Sequence, residues 1–366
     1  MKISKILIKC TAVLLCLLCL LFPFTSCSEL KDFLEEGSKV DGTDSSSSQG
    51  NNNGDDTVSF KKKGGVHTVL FVCEGARNGS LSSVSVCSFD TVENKAVNFV
   101  QIPLKTYTNN DTVTISGAYT AAYSKAIEDR DTVERAREKG ISALRSIIEN
   151  DLCIYIDYYV FTDPAGVASI VDKLGSVEMN FPYAIQLSAT ETVSPGKQRV
   201  SGQRVELLLG HASFNEKAVM NLHKMIISAI YAKAKAGVSN EMLSLFVLEI
   251  RNSVKTDIPS KNGEDIFFVR QFISADSAKL CFTQFATQSC AVSAGLVEVM
   301  HKGGALKIVN EYLNLYAEEL KAEDFDKNGL FNDSTNKAVS VIYGANGNPA
   351  PVYTASSVFE NTVPLQ

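Results

Sequence analysis

The chain has 366 residues, a formal net charge of −6 and no Trp. This length suits one large or two small domains with an ordinary globular core. The mild acidity argues against nucleic-acid binding, which needs a basic surface, since the one lysine cluster is the short run at 61–63.

The N-terminus has the pattern of a secretion signal. Lys2, Lys5 and Lys9 precede the uninterrupted apolar run TAVLLCLLCLLFPF (11–24). A basic stretch followed by a short apolar one is typical of a signal peptide rather than a spanning helix. The next residues, FTSC, resemble a bacterial lipobox with Cys27 as the lipidated first residue of the mature protein. An ordinary signal peptide that carries a Cys there is the alternative, but the polar stretch that follows favours the lipobox.

The segment after the signal peptide (1–27) predicts a tether. Residues 28–64 include DGTDSSSSQGNNNGDD (41–56), which is too polar to bury a core and is typical of disorder. A buried acyl chain contributes about 0.8 kcal/mol per methylene, so several chains on Cys27 would hold the protein at a membrane. We therefore expect an extracytoplasmic protein, lipid-anchored to the cell membrane.

Five of the nine cysteines remain once the signal peptide and Cys27 are set aside. Cys73, Cys87 and Cys153 lie in apolar, strand-like runs and are typical of small core residues. No Cys/His spacing indicates a zinc site. Cys281 and Cys290 are the pair that could form a disulfide, which the sequence leaves open.

Three strands are predicted first along the folded part. HTVLFVC (67–73) is a continuous apolar run, typical of a strand buried on both faces. SSVSVCSF (82–89) and KAVNFVQI (95–102) alternate apolar and polar residues, as half-buried strands do. Leu104 and Lys105 follow the third strand and are expected at its exposed C-terminal end.

Helices and strands then interleave without repeats. A helical region begins near Gly117, and Asp131 with Glu134 has the spacing of a capping box for the next helix. IYIDYYVF (154–161) and SVEMNFP (176–182) are strand-like. The remaining helices are predicted from their apolar periodicity and from the N-cap pair Asp163–Pro164, at 163–174, 215–236, 240–254 and 305–320. Such interleaving favours an α/β layered domain with helices on both sheet faces.

Several blocks in this order resemble the LytR-CpsA-Psr family of Gram-positive envelope proteins. The clearest is IDYYVFTDPAGVASIVDKLGSVEMNFPYAI (156–185), followed by SPGKQRVSGQRVELLL (194–209) and FVQIPLKTY (99–107). The resemblance implies a layered α-β-α domain with a central mixed sheet over residues 65–290. A C-terminal helix and irregular tail would occupy residues 291–366.

Members of this family transfer phosphate-linked glycans from a polyprenyl-pyrophosphate carrier to peptidoglycan. The resemblance implies acidic residues that hold a divalent metal and arginines that neutralise the pyrophosphate. Phosphoryl transfer depends on positioning and charge stabilisation, so these residue types are essential to it.

This chain departs from the family pattern at those positions. They are occupied by Gly75, Ser83, Leu104, Gly210 and Ala212. Removing one well-placed stabilising donor costs about a hundred- to a thousand-fold in rate, so these replacements together indicate a degenerate catalytic site with no metal.

Three charged residues remain as candidate ligand contacts: Glu74, Arg77 and Lys105. We expect a lipid-anchored pseudoenzyme of cell-wall biogenesis that binds polyprenyl-linked glycan or peptidoglycan as an accessory module, without a cofactor. One alternative is an active phosphotransferase, in which Glu74, Arg77 and Lys105 converge on one concave Mg²⁺ site. A second is a structural surface lipoprotein without a ligand, with apolar side chains filling the former pocket.

Overall fold

The computed structural model of the protein describes residues 61–90, 97–108, 114–211, 216–261, 263–274, 280–285, 287–292 and 295–325. The predicted signal peptide, Cys27, most of the tether, Ala212 and the end of the C-terminal tail lie outside the described residues. In the part of the chain that is described, no helix is long and apolar enough to cross a membrane.

A six-stranded mixed sheet forms the centre of the fold. Its strands are β1 (Val66–Glu74), β2 (Leu81–Asp90), β3 (Val97–Gln101), β4 (Tyr158–Thr162), β9 (Lys255–Thr256) and β10 (Leu280–Gln284). Their order is β10-β3-β2-β1-β4-β9. The β10–β3 and β1–β4 pairs are parallel, and the other three pairs are antiparallel. The first three strands match their predicted positions to within two residues.

Strand β1 lies in the middle of this sheet because its side chains are apolar on both faces. Leu70 and Val72 belong to one core cluster, whereas Val69 belongs to a cluster on the opposite face. The prediction of a strand buried on both faces is confirmed.

Helices cover both sheet faces. On the Leu70 face lie α1 (Ile115–Glu128) and α2 (Val133–Leu152), which contribute Tyr119, Leu144 and Ile148 to the core. The Val69 face is covered by three helices: α5 (Glu216–Gly237), α6 (Asn240–Ser253) and α7 (Glu264–Ser274). The layered α-β-α architecture with a central mixed sheet is therefore confirmed.

A smaller substructure follows β4. It consists of α3 (Pro164–Lys173), β5 (Val177–Phe181), β6 (Ile185–Gln186), β7 (Thr192–Val193), β8 (Gly196–Val200) and α4 (Gly202–Leu209). Strand β5 pairs antiparallel with β8, and β6 with β7, outside the central sheet. Their apolar side chains form a core cluster with residues of α3, α4 and α5.

Two helix starts test the capping predictions. Asp163 caps α3 as predicted, since its Oδ1 accepts a hydrogen bond from the Gly166 N–H at 2.8 Å. The prediction of Asp131 as the cap of α2 is wrong by one residue. Thr132 is the N-cap, accepting from the Arg135 N–H at 3.3 Å, whereas Asp131 forms an ion pair with Lys139.

The C-terminal part is β11 (Thr287–Val292), β12 (Gly295–Met300), α8 (Lys302–Lys307), a π-helical turn (Ile308–Leu313) and α9 (Ala322–Phe325). Val309, Tyr312 and Leu313 belong to the core cluster on the Leu70 face. The predicted domain boundary after Cys290 thus falls inside strand β11, and residues beyond it help to build the main core. The predicted helix at 305–320 begins three residues earlier and ends at Leu313.

Two of the three predicted core cysteines, Cys73 and Cys87, are buried in strands. Cys153 is not in a strand: it ends α2 with a left-handed backbone at φ 49° and is half-buried. The pairing of Cys281 with Cys290 stays a prediction, because their side chains are outside the described set.

Candidate functional site

An open cleft of about 730 Å³ lies where β1 and β4 end and where α3 and α4 meet. Gly75 and Gly210, two of the positions predicted to replace charged residues of the LytR-CpsA-Psr pattern, line it together. Neither has a side chain to offer a ligand. The ionisable groups that line the cleft instead are Glu74, Asp163, Glu206 and His211.

In this cleft the Glu74 carboxylate binds other side chains and the backbone of the protein itself. The residue is 1% exposed, and its Oε2 accepts hydrogen bonds from Arg137 Nη2 at 2.5 Å and Nε at 3.0 Å. Its Oε1 accepts from the Gly79 N–H at 2.9 Å and from the Tyr119 hydroxyl at 3.3 Å. Burial, helped by the Glu74 charge, raises the pKa of Tyr119 well above its ordinary value. Both carboxylate oxygens are therefore already engaged.

Arg137 is the residue that sequence reasoning missed. It lies on α2, its side chain is 15% exposed, and its guanidinium stands over the Phe161 ring at 5.6 Å. The sequence contains only an indirect indication of this residue: a Glu at the end of an apolar strand needs a cationic partner when it is buried. The sequence offers Arg130, Arg135 and Arg137 in one region, and spacing alone does not choose among them.

A second, apolar cavity of about 230 Å³ lies between the sheet and helices α5, α6 and α7. Aromatic and aliphatic side chains form most of its wall; they include Phe71, Phe99, Ile226, Ile227, Phe246, Val247, Ile250, Phe268 and Phe272. Ser83, a third family position, faces this cavity and not the open cleft. Cys73, Ser85 and His223 provide further polar atoms there.

His223 is a deeply buried ionisable group at this cavity. Burial lowers its pKa from 6.5 to about 4, so the imidazole is neutral at neutral pH. Its Nε2 lies 3.4 Å from the Ser82 hydroxyl. The neighbouring Lys224 is also buried, with its ammonium 3.5 Å from Gln284 Oε1.

The linings of the two cavities include consecutive residues at the ends of two adjacent strands. Cys73 and Thr162 line the apolar cavity, whereas Glu74 and Asp163, the next residues, line the open cleft. Because β1 and β4 are parallel with Cys73 paired to Thr162, both transitions occur at the same edge of the sheet.

The remaining predicted site residues lie elsewhere. Leu104 packs against the core on the α1–α2 face, and its N–H donates to Glu216 Oε1 at 2.5 Å. Arg77 and Lys105 have exposed side chains, and neither lines the cleft or the apolar cavity. The convergence of Glu74, Arg77 and Lys105 on one concave site, which the active-phosphotransferase alternative predicts, is therefore not seen in the lining of either cavity. Nor do Gly75, Ser83, Leu104 and Gly210 surround a single cleft.

The family model named LytR_cpsA_psr matches residues 35–311, and the chain belongs to this family. The family is associated with the cell envelope and takes part in attaching cell-wall glycopolymers. A search of curated proteins finds no match to this chain.

Solved structures of similar fold include three relatives at low identity. TagV of B. subtilis is 18% identical, with TM-score 0.54 over 72% of this chain and 98% of that one. Protein gbs0355 of Streptococcus agalactiae is 12% identical, with TM-score 0.56 over 70% and 90%. TagT bound to LIIa-WTA is 15% identical, with TM-score 0.50 over 69% and 90%. These likenesses support the fold.

The divalent metal implied by the family does not fit the described donor set. Gly75 offers no side chain, Ser83 faces the apolar cavity, and both oxygens of Glu74 hold protein hydrogen bonds. Among the described residues, no group of three or more His, Cys, Asp or Glu side chains is placed to hold a metal ion.

Proposed function

We propose that the protein is a non-catalytic binding or accessory member of its family, one that holds a polyprenyl-linked glycan carrier at the cell envelope. The isoprenoid tail would occupy the apolar cavity, and the phosphate-linked glycan would extend into the open cleft. The observation that carries this proposal is the apolar cavity; consecutive residues, Cys73–Glu74 and Thr162–Asp163, line the cavity and the cleft in turn.

The cavity wall suits a branched hydrocarbon. Apolar burial is favourable by roughly 25 cal/mol per Å², and a wall of Phe, Ile and Val offers contact without polar groups that need partners. Ligand pockets are mostly apolar with a few placed polar groups, and here those lie near Ser83 and His223. A chain that had lost its ligand would be expected to fill this space with side chains.

The proposal assigns no transfer reaction to the open cleft. Besides Glu74, which is paired to Arg137, its described lining has the carboxylates of Asp163 and Glu206, which would repel a pyrophosphate. Arginines supply the neutralising charge in phosphoryl transfer. Arg137 is paired to Glu74, and the exposed side chain of Arg77 does not line the described cleft. The support for a binding role is therefore stronger than the support for phosphotransfer.

The proposal is tested by binding of a fluorescent polyprenyl phosphate to the full chain in detergent. Ile227 lines the apolar cavity, so Ile227→Trp should fill it and weaken binding at least ten-fold. Ile127 is an exposed isoleucine on α1, so Ile127→Trp is the matched control and should leave the Kd unchanged. Equal affinity of all three proteins, or no binding by any, would overturn the proposal.

Membrane attachment through Cys27 is part of the same proposal. Cys27→Ser removes the thiol that would receive the lipid, and the chain should then shift from the membrane fraction to the soluble fraction of a host cell. The substitution leaves the apolar run at 11–24 intact as a control for export. Retention of the Cys27→Ser chain in the membrane fraction at the wild-type level would contradict lipid anchoring.

A further inference from the structure

The lining of the apolar cavity includes one charged pair. Arg251 on α6 and Asp265 on α7 are the charged side chains of its described lining, since burial keeps the His223 imidazole neutral at neutral pH. The Arg251 Nη1 donates to Asp265 Oδ2 at 3.1 Å and to the Ile258 carbonyl oxygen at 3.1 Å. A hydrocarbon ligand offers these groups no hydrogen bond, so their place in the cavity limits where such a ligand can lie.

The ion pair lies at the end of the cavity that is farther from the open cleft. Cys73 lines the cavity next to the cleft, and Val69 lines it four residues earlier on β1. Val69 is paired with Tyr158 of β4, and the Tyr158 hydroxyl donates to Glu264 Oε2 at 2.6 Å. Because Glu264 immediately precedes Asp265 in α7, the pair belongs to the Val69 end.

Packed side chains surround the ion pair at this end. Ile258 and Phe268 belong to the same core cluster as Val69. The Phe268 ring meets the Phe89 ring edge to face, with centroids 5.5 Å apart. Asp265 is 8% exposed, and both of its carboxylate oxygens accept hydrogen bonds within the protein. A ligand chain that passed this end would have to break those bonds and leave a charge poorly solvated, which is unfavourable.

We propose that the Arg251–Asp265 ion pair is a chain-length stop, which sets the isoprenoid length that the apolar cavity binds best. The stop rests on the proposed function and names the lipids that the cavity distinguishes. The four residues from Val69 to Cys73 span about 13 Å at roughly 3.3 Å per residue of strand, so the distance available to an extended tail is short.

The position of the phosphate makes the stop act on long chains. In the proposed function the phosphate lies toward the cleft, so the isoprene units nearest to it fill the cavity and later units lie closer to Arg251 and Asp265. Units beyond the pair must turn back or leave between the helices, which costs contacts and conformational freedom. Affinity should therefore be highest for a chain that just reaches the pair and lower for longer chains.

The stop is tested by removing both charges together. Arg251→Ala combined with Asp265→Ala shortens both side chains and leaves neither charge without its partner. The Kd values of the full chain for farnesyl phosphate and undecaprenyl phosphate are measured in one detergent, by competition with the fluorescent polyprenyl phosphate. Because wild type and variant are compared in identical micelles, the partition of each free lipid into detergent cancels. The double variant should bind undecaprenyl phosphate at least ten-fold more tightly than the wild type does, and farnesyl phosphate within two-fold.

A second ion pair on the same helix provides the matched control. Lys173 Nζ lies 2.8 Å from Glu249 Oε2, which joins α3 to α6, and neither residue lines the cavity. Lys173→Ala combined with Glu249→Ala should leave both Kd values unchanged. An equal gain in undecaprenyl phosphate binding by both double variants, or no gain by an Arg251–Asp265 variant that still binds farnesyl phosphate, would overturn the stop.

A filled cavity end keeps the test decisive if the double variant loses farnesyl phosphate binding through misfolding. Ile258→Trp adds bulk at the same end of the cavity, so it should weaken geranylgeranyl phosphate binding at least five-fold and leave geranyl phosphate binding within two-fold. Equal weakening of both lipids would overturn the stop. A wild-type chain that binds none of these prenyl phosphates would refute the proposed function, and the stop with it. Intact wild-type binding with either contrary result in the variants would refute the stop alone.

Discussion

Glu74 ends β1 as a buried carboxylate held by four hydrogen bonds, two of them from one guanidinium. Removing one partner of a buried ion pair leaves the other charge buried without a partner or solvent. This lowers the free energy of unfolding by about 3–5 kcal/mol. Replacing both partners by uncharged groups of similar shape costs much less. At this residue, the charge next to the cleft therefore contributes to the fold, since the hydrogen bonds that would serve a ligand are used internally.

Arg137→Met should lower the free energy of unfolding by about 3 kcal/mol, because it leaves the Glu74 carboxylate buried with only Tyr119 and the Gly79 N–H. The measurement is urea unfolding at pH 7. The double variant Glu74→Gln with Arg137→Met should recover part of this loss. A double variant that is less stable than the single one would contradict the assignment of Glu74 to an ion pair with Arg137.

His223 makes stability depend on pH. Burial lowers its pKa from 6.5 to about 4, so the unfolded chain binds a proton between these values that the folded chain does not. The free energy of unfolding should therefore decrease as the pH falls from 6.5 to 4, by about 3 kcal/mol from this group. Urea unfolding at pH 7 and pH 4 measures the change.

His223→Gln is the control for this titration, because glutamine does not ionise. Other groups, including the half-buried His67, whose pKa is also lowered by burial, titrate equally in both proteins. The difference between the two pH dependences isolates position 223. Identical losses of stability on acidification in wild type and His223→Gln would show that His223 is not held neutral by the fold.

At the scale of elements, the open cleft depends on how closely α3 and α4 approach. A Cβ on Gly202 would stand 2.2 Å from the Ala168 carbonyl oxygen and 2.5 Å from Asp172 Oδ2. The Gly202 N–H donates to Asp172 Oδ1 at 2.7 Å, which joins the start of α4 to α3. This contact brings Gln203, Glu206 and Gly210 to the cleft.

Gly202→Ala should lower the free energy of unfolding by about 1–3 kcal/mol, because α4 must move away from the backbone of α3 to admit a methyl group. Thermal or urea unfolding measures the loss. Gly237→Ala is the matched control, since a Cβ there meets nothing within 4 Å and alanine favours a helix. Equal stability of the two variants would contradict a close α3–α4 contact at Gly202.

At the scale of the whole molecule, the apolar cavity and the open cleft define two separate environments, and their linings include consecutive residues at the ends of β1 and β4. The cavity belongs to the sheet and to α5, α6 and α7, and the cleft belongs to β1, α3 and α4. A ligand with an apolar tail and a polar head would use both. The described cleft lacks the donor set and the free arginines that metal-assisted phosphoryl transfer requires.

Binding of fluorescent polyprenyl phosphate should therefore stay within two-fold when Mg²⁺ is replaced by EDTA at constant ionic strength. The physical reason is that, among the described residues, no group of three or more His, Cys, Asp or Glu side chains is placed to hold a metal ion. Isothermal titration or fluorescence anisotropy on the full chain measures the Kd. A Kd that tightens more than ten-fold with Mg²⁺ would favour the active phosphotransferase instead.

Much of the fold follows from local patterns. The apolar run at 67–73 predicts a central strand because period-two side chains are apolar on both faces, and Asp163–Pro164 predicts the start of α3 because it satisfies the first free N–H groups. The cap of α2 was predicted one residue early, because Asp131 and Thr132 are adjacent residues that both favour capping. Residues 291–366 are predicted to form a C-terminal helix and an irregular tail, because a short helix carries no local signal that shows which core it joins.

The sequence alone determined the layered α/β fold and the family resemblance, because these depend on local periodicity and on motif order. That Gly75, Ser83, Leu104 and Gly210 replace charged family residues stays a prediction. Tertiary structure decided what these residues face. The pairing of Glu74 with Arg137, 63 residues away, and the separation of Ser83 from Gly75 depend on the sheet order and on helix packing. Backbone pattern fixes the face on which a side chain lies, but only the folded chain fixes which partners and which cavity it meets there.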